Sequence, residues 1–149
     1  MEHRILFICT GNYYRSRFAE ILFNELCQEE EIRFRAFSKG LRLSSNNKGP
    51  LSIHTKNYME KLRIDISHQL RMPIPVTADD FDYYHTVIAM DENEHRNLMK
   101  ETFPEMENKI SYWLFADDYI EAPEKVLPLL EKKTREFVEQ LKEELHTKK

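Results

Sequence analysis

The sequence predicts an α/β fold, a parallel sheet with helices on both faces. Two observations carry this. Short apolar runs alternate with amphipathic stretches along the whole chain, and the first run passes through a glycine-containing loop directly into a helical pattern. Ile5 to Ile8 is a continuous apolar run, the pattern of a strand buried on both faces. From Ser16 to Glu30, Phe18, Ala19, Leu22, Phe23 and Leu26 recur at helical spacing, with Glu20, Asn24, Glu25 and Gln28 on the other side. Ile32 to Phe37 alternates with period two, a second strand ending at Ser38-Lys39-Gly40. After a polar loop from Leu41 to Pro50, Ser52 to Leu62 reads as a helix. Ile66 to Pro75 is irregular because Pro73 and Pro75 discourage regular structure. Thr86 to Met90 is a third strand, followed by Asp91 and Glu94 at the spacing of a helix N-terminal box, with Asp91 as cap. Ile110 to Leu114 is the fourth strand. Leu127, Leu130, Thr134, Phe137, Val138, Leu141 and Leu145 form the stripe of a last helix, which begins near Lys125 so that Pro128 falls in its first turn.

A chain of 149 residues with 41% hydrophobic content is long enough for one core and short for two, so residues 1–149 are expected to form a single domain. A net charge of −4 argues against a nucleic-acid binder or an anionic-membrane binder, and an anionic substrate then needs a locally basic site. Two cysteines and no charged-then-apolar leader point to a reducing compartment, the cytoplasm. No apolar run approaches the roughly 18 residues that span a bilayer, so a soluble protein is expected.

The chemistry is concentrated in Cys9-Thr10-Gly11-Asn12-Tyr13-Tyr14-Arg15-Ser16. A phosphate dianion needs several donors converging on one point, and the amides of a curved loop entering a helix N-terminus supply them without a metal. Gly11 permits close backbone approach, Asn12 tolerates a left-handed conformation, and Arg15 offers a planar fork for two phosphate oxygens. The same donors stabilise a thiolate, which would make Cys9 a nucleophile. Spacing alone does not establish this, because Cys27 and Arg33 stand equally far apart. That second pair encloses Glu29-Glu30-Glu31 and no glycine, and would repel a phosphate. The histidines show no metal-ligand spacing, so neither a metal nor another cofactor is expected.

This loop, followed by Ala19-Glu20, resembles that of the low-molecular-weight protein-tyrosine phosphatases. Looser correspondences continue through Ser38-Lys39-Gly40, Ser67-His68-Gln69-Leu70-Arg71, Met90-Asp91-Glu92-Asn93 and Asp117-Asp118-Tyr119. The resemblance implies a flavodoxin-like three-layer α/β/α fold with a four-stranded parallel sheet. It also implies hydrolysis of phosphotyrosine in a phosphorylated protein substrate through a cysteinyl-phosphate. Cys9 would attack phosphorus while residues Thr10 to Ser16 hold the phosphoryl oxygens, with Arg15 as the cation and Ser16 hydrogen-bonded to the Cys9 sulfur. Asp117 would be the general acid and then base. The family normally has Asp-Pro there, so Asp118 is the alternative. Asn12, Ser38 and His68 would form a network supporting the loop, and Tyr13 and Tyr119 would form aromatic walls for the substrate.

Departures from the family pattern carry further expectations. Tyr14 stands where many members have a second cysteine, which closes the route to a protective disulfide. Arg17 replaces a proline and adds positive charge beside the loop. A phosphoarginine phosphatase shares fold and nucleophile, but its usual small loop threonine is here Tyr13. A thioredoxin-coupled arsenate reductase needs redox cysteines that Cys27 alone does not supply. A non-catalytic phosphate-recognition module is the rival from another class, motivated by the altered Asp117-Asp118 loop.

Overall fold

The computed structural model describes residues 3–147. Its strands are β1 (His3–Cys9), β2 (Phe34–Gly40), β3 (Thr86–Ala89) and β4 (Ser111–Tyr112). Its helices are α1 (Arg15–Glu29), α2 (Ile53–Lys61), the one-turn α3 (Asp80–Tyr83), α4 (Glu92–Thr102) and α5 (Pro123–Thr147). All strand pairs are parallel, in the order β2-β1-β3-β4. The chain leaves β1 for a neighbour on one side and later returns to its other side, so the crevice outside the carboxyl ends of β1 and β3 is a switch point.

Strand β1 is the centre of the molecule, and Ile5 to Ile8 are fully buried. Its alternation feeds two cores. Ile5, Phe7 and Cys9 pack with Phe18, Leu22 and Phe23 of α1, Met59 of α2 and Leu127, Leu130 and Val138 of α5. Leu6 and Ile8 face the opposite layer with Val87, Met99 of α4 and Phe81 of α3. The sheet is therefore covered on both faces, as its uninterrupted apolar run demands. The open edge at β2 is partly closed by Asn24 of α1, whose amide donates to the Ala36 carbonyl at 2.9 Å and accepts the Ala36 N–H at 2.8 Å.

Several boundaries differ from the sequence expectation. Strand β2 starts at Phe34 rather than Ile32 and runs through Gly40. Strand β4 shrinks to Ser111–Tyr112, although Trp113 and Phe115 continue to donate to the Ala89 and Met90 carbonyls at 2.8 Å. Helix α5 begins two residues early, with Pro123 at its first position, which moves Pro128 into the second turn. Thr134 fits the apolar stripe of α5 because its hydroxyl donates to the Leu130 carbonyl at 2.8 Å, whereas Leu145 is exposed. The expected box at α4 is not formed: the Asp91 N–H donates to His95 Nδ1 at 3.0 Å, and Glu94 is engaged elsewhere.

Candidate functional site

Strand β1 ends at Cys9 and α1 starts at Arg15, which leaves a five-residue turn, residues 10–14, at the switch point. The Leu41 and Arg42 amides donate to the carbonyls of Cys9 and Thr10 at 2.9 Å, tying the turn to the end of β2. That approach requires Gly40, where a Cβ would stand 2.8 Å from the Thr10 carbonyl oxygen. Asn12 reverses the chain with φ of 51°, a left-handed conformation that asparagine adopts more readily than bulkier residues. The first-turn amides of α1 lack intrahelical acceptors, which makes this helix start a set of anion donors.

Cys9 is 2% exposed, and its sulfur lies 3.0 Å from Ser16 Oγ. Asn12 Nδ2 donates to Ser16 Oγ at 3.0 Å and to Ser38 Oγ at 2.8 Å, which links two of the three residues expected to support the loop, Asn12 and Ser38, and adds Ser16 to them. His68 does not join it. Its ring is exposed and lies 3.5 Å from the Gln69 side-chain nitrogen. Arg71 takes that place, donating from Nη1 to Asn12 Oδ1 at 3.0 Å and from Nη2 to the Ser38 carbonyl at 2.7 Å. Glu20 completes the cluster. Its Oε1 accepts from Ser38 Oγ at 2.5 Å, from Arg17 at 2.9 Å and from Arg71 at 3.1 Å. Arg17 is wholly buried against Glu20 and the Gln69 carbonyl, behind the loop rather than beside it. Two guanidinium groups thus share one carboxylate under the turn, an excess of positive charge where an anion would dock. By period Glu20 falls on the polar face of the helix, and Arg71 carries no periodic signal; its place in the Ser67-to-Arg71 match is the one sign of it in the sequence.

Arg15 is 1% exposed, and its fork is held from one side. Nη1 donates to Glu94 Oε1 at 3.1 Å and to the Phe115 carbonyl at 2.9 Å, and Nη2 donates to Glu94 Oε2 at 3.0 Å. Nη2 also lies 3.4 Å from Asp117 Oδ2, while Nε is buried without a hydrogen-bond partner. Glu94 receives the Thr10 hydroxyl as well and lies 3.1 Å from His95 Nε2. Burial opposes its ionisation, but the hydrogen bonds from His95 and Arg15, the Arg15 charge and the Thr10 hydrogen bond outweigh it. They hold the Glu94 carboxyl well below the ordinary carboxylate range. The Arg15 guanidinium loses by burial but gains more from the Cys9 charge and from Glu94, and is held above its usual value.

Cys9, Tyr13, Tyr14, Arg15, Asp117 and Tyr119 all line one cavity of about 420 Å³, together with Thr10, Gly11, Asp118 and part of the 42–47 loop. Asp117 is half-buried and its Oδ1 accepts the Asp118 N–H at 2.8 Å; Asp118 is exposed at the rim. Tyr119 stands 77% exposed, and Tyr13 donates its hydroxyl to the Lys48 carbonyl. Tyr14 is buried with its hydroxyl unpartnered, and burial together with the nearby Asp118 charge pushes that phenol far above its ordinary value.

The family model described as "Low molecular weight phosphotyrosine protein phosphatase" matches residues 4–147. The chain belongs to this family. Among curated relatives, the Gallus gallus low molecular weight phosphotyrosine protein phosphatase is 30% identical over 99 residues, which cover 66% of this chain and 61% of the relative. The alignment thus spans less than two thirds of that relative's length. The Bacillus subtilis (strain 168) protein-arginine-phosphatase is 27% identical over 106 residues, 71% of this chain and 67% of the relative. The crystal structure of YfkJ from Bacillus subtilis superposes with a TM-score of 0.82 at 21% identity, covering 97% of each chain. A low molecular weight protein tyrosine phosphatase from T. tengcongensis gives 0.75 at 25% identity, covering 95% of this chain and 99% of the other. The four-stranded parallel α/β architecture is the fold shared with these structures. Within this member of the low molecular weight phosphotyrosine protein phosphatase family, the Arg71–Glu20–Arg17 cluster lies under the loop and Glu94 clamps Arg15. Among its described residues no helix is long and apolar enough to cross a membrane.

Proposed function

We propose that this chain hydrolyses phosphotyrosine in proteins through a cysteinyl-phosphate on Cys9. The observation that carries the reading is the convergence on one cavity of the Cys9 thiol, the Arg15 fork and the Asp117 carboxyl, the last two 3.4 Å apart. The Cys9 sulfur attacks phosphorus and the bond to the leaving oxygen breaks, with Asp117 delivering its proton to that oxygen. Water then attacks the same phosphorus, the S–P bond breaks, Asp117 takes the proton from water, and phosphate leaves. Arg15 and the amides of residues 10–16 hold the equatorial oxygens where charge develops, donors that need no metal. Ser16, at 3.0 Å, hydrogen-bonds the leaving thiolate in the second step. Asp117 is favoured over Asp118 because it is the less exposed of the two and sits against Arg15, while Asp118 is at the rim.

Tyr13 and Tyr119 flank the opening and suit a phenyl ring, which places phosphotyrosine first. A second reading, phosphoarginine, is favoured by the relatives named protein-arginine-phosphatases and by a second carboxylate, Asp118, at the rim, which a guanidinium could meet. The two free cysteines suit a cytoplasmic enzyme. The decisive assay is hydrolysis of an aryl phosphate in EDTA, with vanadate as inhibitor and Cys9→Ser as control, followed by phosphotyrosine, phosphoarginine and phosphoserine peptides. Turnover that Cys9→Ser abolishes is expected, fastest on phosphotyrosine. Binding of phosphotyrosine without turnover would make the chain a recognition module instead.

A further inference from the structure

We propose that Glu94 is a positioning residue that turns the Arg15 guanidinium so that its Nε edge is presented to the phosphoryl group. This rests on the phosphatase reading above. A guanidinium has five N–H donors in a fixed plane, and which edge meets the substrate depends on what holds the others. In Arg15 both Nη1 donors are used, by Glu94 Oε1 and the Phe115 carbonyl, and one Nη2 donor is used by Glu94 Oε2. What remains is Nε–H, buried and unpartnered, and the second Nη2 donor on the same edge, the one near Asp117. Those two parallel donors match two oxygens of one phosphoryl group. Glu94 does not line the cavity, whereas Arg15 and Asp117 do, so the carboxylate grips the arginine from behind without competing for its free edge.

Glu94 is itself fixed. Because the Asp91 N–H donates to His95 Nδ1, the imidazole proton is on Nε2, which lies 3.1 Å from both Glu94 Oε2 and Thr10 Oγ1. The Thr10 hydroxyl donates to the same carboxylate oxygen. In place of the helix box, His95 satisfies the amide that Glu94 would have capped, and frees the carboxylate for Arg15. A loop hydroxyl, a helix histidine and a helix glutamate thereby fix one plane of rotation for the cation.

The test compares wild type, Glu94→Gln, Glu94→Asp and Val138→Ala, a substitution in the α5 core away from the cavity that lowers stability without touching the site. Turnover of an aryl phosphate in EDTA, inhibition by vanadate and by inorganic phosphate, calorimetric binding of inorganic phosphate, and Tm are measured for each. Glu94→Gln keeps the shape but sets an amide against guanidinium donors. It is expected to lose on the order of 10- to 100-fold in kcat with KM changed less than about threefold, and to lose more vanadate than phosphate affinity. Glu94→Asp, with charge kept and reach shortened, is expected to fall between, and carries the comparison if Glu94→Gln does not fold. Wild-type kcat and vanadate affinity in the Glu94 variants, or an equal kcat loss in Val138→Ala, would overturn the inference while leaving the phosphatase reading intact. If wild type shows no turnover, that reading fails, and the inference is decided by phosphate binding alone: weaker binding in Glu94→Gln sustains it, equal binding ends it. If wild type neither turns over nor binds phosphate, both fall.

Discussion

Arg71 Nη1 donates to Asn12 Oδ1 at 3.0 Å, so the left-handed residue at the centre of the loop is held by a cation three positions beyond the histidine that had been expected to help hold it. Asn12 then has its amide nitrogen committed to Ser16 and Ser38 and its oxygen to Arg71 and to the Ile74 N–H at 3.1 Å. Removing Arg71 leaves buried acceptors on Asn12, Ser38 and Glu20 short of a donor. Glu20 keeps Arg17, and Arg71 is itself partly exposed, so Arg71→Ala is expected to cost about 2–3 kcal/mol in urea unfolding. It should also lower kcat/KM on an aryl phosphate, because the strained turn loses its hold. His68→Ala should change neither quantity. A His68 variant that unfolds like the Arg71 variant would contradict this arrangement.

The strand-loop-helix around Cys9 was legible because its causes are local. A strand buried on both faces must be apolar at every position, and the turn into the helix needs a residue that accepts a left-handed backbone, here Asn12. The layered fold followed from the same alternation. What escaped the sequence is the choice each long polar side chain makes among tertiary partners. Glu20 falls on the polar side of α1 by period, yet the 66–75 segment covers that side and brings Arg71 to it. Glu94 has the spacing of a cap, yet His95 competes for the same amide and Arg15 offers a stronger partner. Pro128 was expected in a first turn because proline there loses nothing. Helix α5 tolerates it one turn later, on an exposed stretch where the Glu124 carbonyl left without a donor can be hydrated.

Asp117 and Asp118 give a separable prediction. Asp117 lines the cavity with its Oδ2 3.4 Å from Arg15 Nη2, and its own Oδ1 takes the Asp118 N–H, which orients it; Asp118 has only its place on the rim. For an aryl phosphate with a poor leaving group, Asp117→Asn is expected to reduce kcat about 10²- to 10³-fold, and Asp118→Asn to change it less than about threefold. With a highly acidic leaving phenol the Asp117→Asn loss should shrink, since that phenolate needs no proton. Steady-state kinetics on a leaving-group series measures both. A larger loss in Asp118→Asn would transfer the acid role to the rim.

The two thiols should be chemically distinct. Cys9 opens onto the cavity beside Arg15, whereas Cys27 is buried in the core, and that burial, reinforced by Glu30 against the opposing Arg35, pushes its thiol up to about 12. Iodoacetamide at pH 7 is expected to label Cys9 and leave Cys27 unmodified, and inorganic phosphate should slow the Cys9 reaction by occupying the loop. Peptide mass mapping with and without phosphate reads both outcomes. Equal labelling of Cys27 in the folded protein would refute the difference.

Glu94 also makes a prediction about stability. Its carboxyl is held well below the ordinary range in the folded state, against roughly 4.3 when unfolded, so the folded protein favours the ionised form. The sign follows from linkage: the stabilisation is fully present above about pH 4.3 and is lost as pH falls through the lower folded value. Asp91 acts in the opposite direction, because burial raises its carboxyl despite the Arg15 charge, so that its ionisation destabilises the fold as pH rises. Asp65, held low by its hydrogen bonds from Ser67, adds to the Glu94 slope, so wild type alone shows a sum of opposed slopes near pH 4. The difference between wild type and Glu94→Gln isolates one of them. Urea unfolding from pH 7 to pH 3 should show Glu94→Gln less stable at neutral pH, with the gap narrowing as the pH drops below about 4.3. A constant gap across that range would mean that Glu94 owes its contribution to shape rather than to charge, and that the clamp on Arg15 is not an ion pair.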